Sequence, residues 1–129
     1  MSTTLPLEGT TPLIADRFIN TFYAGEDLLT IGVLVEVTAD NTVKKCTTQN
    51  STKIAGVTLT TAKNGQKISV VSRGVCRIVP YSSLSAGDQF GSAASGGSAI
   101  QDNTSKNATI LGLCLQGGNS SGTAIVALW

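Results

Sequence analysis

Few side chains in this sequence could do chemistry, and their spacing works against it. Glu26 and Asp27 are adjacent carboxylates. Neighbours on a strand point to opposite faces, so the two cannot flank one bond as an acid–base pair. Glu36, Asp40, Asp88 and Asp102 each stand alone, and most of them read as solvated turn or edge residues. There is no histidine, which removes Ser-His-Asp and Cys-His catalysis and His-ligated zinc. The thiols, Cys46, Cys76 and Cys114, are odd in number and widely spaced, with no C-x-x-C. Such thiols read as reduced, buried small hydrophobes. The loop Gly91-Ser92-Ala93-Ala94-Ser95-Gly96-Gly97 lacks the lysine and following helix of a phosphate loop. Asp102-Asn103-Thr104 does not have the spacing of a calcium loop. The expectation is a protein with no catalytic residues, no metal site and no cofactor.

Composition points the same way. The chain has 129 residues, enough for one domain with a core. Charged residues are 13% of it and the formal net charge is +1. That leaves no basic surplus to neutralise phosphates, so no nucleic-acid partner is expected. Solubility rests instead on 17 Thr, 13 Ser and 14 Gly. No run approaches a membrane span, so no membrane partner is expected either. The first residues lack a basic segment followed by an apolar one, which reads as a product of the cytoplasm.

The elements that would position these side chains are strands. Residues 1 to about 25 form a separate stretch with Pro6, Pro12, Phe18, Phe22 and Tyr23. It reads either as a helix capped at Thr11 with Ile14, Phe18 and Phe22 on one face, or as an extended arm feeding a strand through Phe22-Tyr23. The β-branched and aromatic content favours the arm. Residues 26–129 form a β domain. Thr30 to Val37 is expected as a strand with Ile31, Val33, Val35 and Val37 on one face. Further strands are expected at 42–48, 54–60, 67–72, 74–79 and 123–129, with an Asn64-Gly65 turn whose two residues both take positive φ.

The β domain also repeats itself. Leu29-Thr30-Ile31-Gly32 matches Leu84-Ser85-Ala86-Gly87, and Ile54-Ala55-Gly56-Val57 matches Ile110-Leu111-Gly112-Leu113. Gly65-Gln66-Lys67-Ile68 matches Gly122-Thr123-Ala124-Ile125. The offsets are 55, 56 and 57. The expected fold is therefore all-β: a small antiparallel β-sandwich or barrel, an internal duplication of one β unit (about 29–72 and 84–129), with an extended N-terminal arm.

Several of these runs resemble one family. Ile54-Ala55-Gly56-Val57, Lys67-Ile68-Ser69-Val70-Val71, Gly74-Val75-Cys76-Arg77-Ile78 and Leu84-Ser85-Ala86-Gly87-Asp88 resemble the tailed-phage capsid cement, or head decoration, proteins. So do Ile110-Leu111-Gly112-Leu113 and the closing Gly122-Thr123-Ala124-Ile125-Val126-Ala127-Leu128. The resemblance implies a capsid decoration protein of a bacteriophage, on the exterior of the virion. It would bind the major capsid protein and tie neighbouring subunits together as a homo-oligomer, a trimer by preference. It implies no enzyme. On that reading Leu5, Leu7, Leu13, Ile14, Phe18 and Phe22 are anchors of a capsid-binding arm. Arg73 and Arg77 would meet an acidic capsid surface, and Trp129 would be an oligomer contact. The competing reading is a carbohydrate- or receptor-binding β module of a tail fibre, with Tyr81 and Trp129 stacking on sugar.

Overall fold

A computed structural model describes residues 18–94, 96–102, 109–119 and 122–129. The expected anchors Leu5, Leu7, Leu13 and Ile14 lie outside the described residues. Among the described residues there is no helix and there are nine strands. They are β1 (Phe18–Ala24), β2 (Leu34–Ala39), β3 (Thr42–Lys45), β4 (Ile54–Thr58), β5 (Lys67–Ile78), β6 (Gln89–Ser92), β7 (Ala99–Gln101), β8 (Gly112–Gln116) and β9 (Ala124–Leu128).

Five strands close into a barrel in the order β1-β3-β2-β4-β5, because β1 pairs with β5 as well as with β3. The β1–β3 contact is parallel and the rest are antiparallel. Alternation along each strand sends one set of side chains inward. Ala24, Val35, Val43, Ile68 and Val70 form that interior with Leu28 and Ala62, and Phe22 and Ala55 pack against it. The segment 18–24, read from sequence as the end of an arm, is thus a wall of this barrel. Closure leaves it no free edge.

The rest of the chain builds the same object again. The second half of β5 pairs with β9, followed by β8, β6 and β7. The ring returns to β5 through a parallel bridge, Pro80↔Ala99. Tyr81 N donates to Ala99 O at 2.7 Å, and Ala99 N to Val79 O at 2.9 Å. Every strand pairing of the first barrel recurs in the second. Val57↔Val71 becomes Leu113↔Ala127, 56 residues later on both strands. Phe22↔Ile68 becomes Ile78↔Ala124, and Val35↔Lys45 becomes Phe90↔Gln101. The isolated bridge Leu28↔Ala62 becomes Leu84↔Gly118. The parallel register Ala24↔Val43 becomes Pro80↔Ala99. β5 is long because it serves twice, as the last strand of one barrel and the first of the next. The two runs expected at 67–72 and 74–79 are one strand, and Gly74 at φ +111° sits at the changeover.

The second barrel stands on the flank of the first. Leu34, Val57 and Val71, which alternate with interior residues of barrel 1, belong to one core cluster with Ile78, Phe90, Ala99 and Val126 of barrel 2. Strands β2, β4 and β5 are covered on both faces, which is why Val33-Leu34-Val35 and Val70-Val71 are unbroken apolar runs. Main-chain bonds zip the seam. Leu34 N donates to Gly97 O at 2.8 Å, Gly97 N to Cys46 O at 2.9 Å, and Val79 N to Gly32 O at 2.9 Å.

Three local expectations are corrected. The strand expected over Thr30–Val37 starts at Leu34, because Gly32 at φ +87° turns the chain just before it. Ile31 and Val37 are consequently exposed and share no buried face with Val33 and Val35. In the Asn64-Gly65 turn only Gly65 has positive φ. Gln66 N closes it onto Lys63 O at 2.9 Å, a type II pattern instead of a primed one.

Candidate functional site

Three of the exposed side chains that could grip a partner gather where β5 passes from one barrel to the other. Phe18 pairs with Arg73 in the β1–β5 register, and a bulge between Phe18 and Ile19 sets that pairing. The Phe18 ring is 61% exposed. The Arg73 guanidinium carbon lies 6.0 Å from its centroid, the outer range of a cation–π contact. The next residue, Gly74, pairs with Leu128 at the end of β9. Trp129 follows Leu128, is 57% exposed, and is tied down by its N–H to Leu111 O at 3.2 Å. So Phe18, Arg73 and Trp129, drawn from three separate sequence features, come within one step of register of each other. Arg77 lies four residues further along β5, exposed, opposite Ile125 of β9. Phe22 is not part of this group: its ring is half-buried against the core of barrel 1.

From the Arg73–Arg77 stretch a row of apolar side chains runs across the outer face of barrel 2. Val75 pairs with Ala127, Ala127 with Leu113, and Leu113 with Gln89. Directly paired residues share a face. Val75, Ala127 and Leu113 are each half-buried, and so is Ile125 beside Arg77. The face therefore presents apolar side chains with two arginines at its margin and no carboxylate on β5, β8 or β9. None of these row residues stood out in the sequence. Val75, Ile125, Ala127 and Leu113 lie in runs apolar on both faces, and only the register tells which face is outer.

Other polar groups are engaged within the fold. Glu36 accepts the Ser51 hydroxyl, and the Ser92 hydroxyl donates to Thr48 O at 2.7 Å while accepting Ser51 N at 2.8 Å. An open depression of about 290 Å³ lies beside them, lined by Glu36, Val37, Thr38, Thr48 and Lys53. Glu26 accepts Lys45 N at 2.8 Å, Asp27 accepts Asn64 N at 2.9 Å, and Asp88 accepts Ser85 N at 2.8 Å. All three thiols are buried and unbridged. Burial pushes the Cys46 and Cys114 thiols above their ordinary range, against a smaller lowering effect of the Thr48 and Gln116 backbones. Among the described residues no group of His, Cys, Asp or Glu is placed to hold a metal ion.

No protein-family model matches the chain, and no curated protein matches it. Its fold is similar to that of a solved structure, the head fibre gp8.5 N base of bacteriophage phi29. The TM-score is 0.65 at 13% sequence identity, over 88% of this chain and 95% of that one.

Proposed function

We propose that this chain is a structural protein of a tailed-phage head, a decoration or cement protein that sits outside the shell and bridges major capsid subunits. The observation that carries the reading is its likeness in fold, over 88% of its length, to the base of a phage head fibre. The resemblance of its glycine-and-apolar runs to those of head decoration proteins supports it. The surface chemistry agrees with adhesion: an exposed Phe18–Arg73–Trp129 group and an apolar row, with Glu26, Asp27 and Glu36 held in internal hydrogen bonds. The protein is read as a homo-oligomer, a trimer by preference, since repeating a modest contact around a symmetry axis multiplies its strength. It needs no cofactor and performs no reaction. Residues 1–17, with Leu5, Leu7, Leu13 and Ile14, are proposed as the arm that reaches a capsid subunit from its root at Phe18.

The test is co-sedimentation with purified heads, stripped of this protein, of the phage that encodes it. The expected result is saturable binding in a fixed ratio to capsid subunits, together with a rise in the temperature at which the heads rupture. Absence of binding to such heads would overturn the reading.

A further inference from the structure

We infer that the outer face of barrel 2, formed by Val75, Leu113, Ile125 and Ala127 between Arg73 and Arg77, is a docking surface for a foreign protein patch that is apolar at its centre and carries carboxylates at its rim. This rests on the head-protein reading and gives it a contact surface distinct from residues 1–17.

The duplication identifies the face. Val75–Ala127–Leu113–Gln89 in barrel 2 is the counterpart of Ile19–Val71–Val57–Leu34 in barrel 1, pair for pair. In barrel 1 the last three are 0–1% exposed, because barrel 2 covers them. In barrel 2 no strand among the described residues packs over the same row, which stays only half-buried, yet three of its four members are apolar. A row with no partner would be free to become polar throughout, as Gln89 has. A contiguous apolar patch left partly open to water is the kind of surface that marks an interaction site.

Charge identifies the occupant. The face carries two arginines and no acidic side chain on β5, β8 or β9, in a chain whose net charge is only +1. A partner carrying carboxylates at that margin would pair both guanidiniums. A second copy stacked head to tail does not fit. Barrel 2 seats itself on barrel 1 through Gly97, which bonds to Leu34 N and Cys46 O. A Cβ there would lie 2.8 Å from the Leu34 main-chain oxygen, an obstruction that a repeated seat keeps whatever its side chains. The residue of barrel 1 at the position of Gly97 is Asn41, 56 earlier and likewise at positive φ. Its side chain would not enter that seat.

The experiment places a photo-crosslinking phenylalanine analogue at Leu113 and, as a control, at exposed Thr38 of barrel 1, and separately makes the R73E/R77E double variant. Each is mixed with the stripped heads. The expected result is a crosslink from position 113, and not from 38, to a head protein other than this chain. R73E/R77E should melt like the parent and bind heads at least about tenfold more weakly. If the crosslinker at 113 perturbs folding, Ile125→Glu replaces it, with the same expected loss of binding. A crosslink from 113 only to further copies of the chain would overturn the inference. So would full-strength head binding by R73E/R77E with position 113 silent, a result that leaves head binding itself standing. Failure of the unaltered chain to bind heads would instead overturn the functional reading.

Discussion

Gly112 lies directly against the main-chain carbonyl of Ala127, with no room for a Cβ between them. Gly56 stands in the same relation to the carbonyl of Val71. Neither obstruction is a flexible side chain, so relief requires the paired strands to part. Gly112→Ala and Gly56→Ala are each expected to destabilise the protein by about 3 kcal/mol or more. Gly65→Ala makes a fair comparison, since Gly65 has no atom within 4 Å of its would-be Cβ and only its φ of +87° is at stake. It should cost about 1–2 kcal/mol. Denaturant unfolding of the three variants measures the contrast, and equal losses at all three sites would refute the close-approach argument.

This glycine pair also shows what a sequence can and cannot reveal about such a fold. Gly56 and Gly112 are matched in the sequence at the offset of 56 that the structure uses, because sterics force glycine at both places. Matches resting on apolar identity fare worse. Aligning Ile68 with Ile125 needs an offset of 57, but the registers put Ala124 at the place of Ile68. Likewise Leu84 answers to Leu28, not Leu29. One residue of slip exchanges the two faces of a strand, so the duplication was legible while the outer row of barrel 2 was not. The meeting of Phe18, Arg73 and Trp129 was illegible for a related reason. They are brought together by the end-on arrival of β1 and β9 at β5, which no local pattern encodes.

Phe18 and Phe22 were read together as anchors, but the structure gives them different work. Phe22→Ala should cost about 2–3 kcal/mol, less than a fully buried ring, because its side chain is packed against the barrel interior on one side only. Phe18→Ala removes an exposed ring and a marginal cation–π contact and should cost at most about 1 kcal/mol. In head binding the order should reverse, with Phe18→Ala weakening attachment and Phe22→Ala leaving it intact in the folded fraction. Thermal melts and co-sedimentation on the same samples check both halves.

The buried thiols tie stability to alkaline pH. In the folded chain Cys46 and Cys114 hold their protons above the ordinary thiol range, chiefly because burial disfavours the thiolate. In the unfolded chain both ionise near pH 8.5, about the value of a free thiol. Above that pH the unfolded state binds fewer protons than the native one, so stability falls as pH rises. Below it the contribution is fully present. Tm should therefore decline between about pH 8 and 10, and a Cys46→Ala/Cys114→Ala variant, less stable at neutral pH, should show a shallower decline. Parallel curves for the two proteins would show that other groups carry the pH dependence.

Trp129 is the only tryptophan, so its fluorescence reports on one spot. The indole is more than half exposed, beside the Leu128–Gly74 pair and next to the row that ends at Val75. In the free protein its emission should resemble indole in water and be readily quenched by iodide. Attachment to heads should shift the emission to the blue and protect it from iodide, because a covering surface would remove water from the ring. Trp129→Ala should leave the unfolding free energy within about 1 kcal/mol of the parent, as expected for an exposed side chain. Binding should weaken by about tenfold or more if the ring is an anchor. Emission and quenching that stay unchanged on heads saturated with the protein would place Trp129 outside the contact and confine the docking surface to the Val75–Leu113 side of the face.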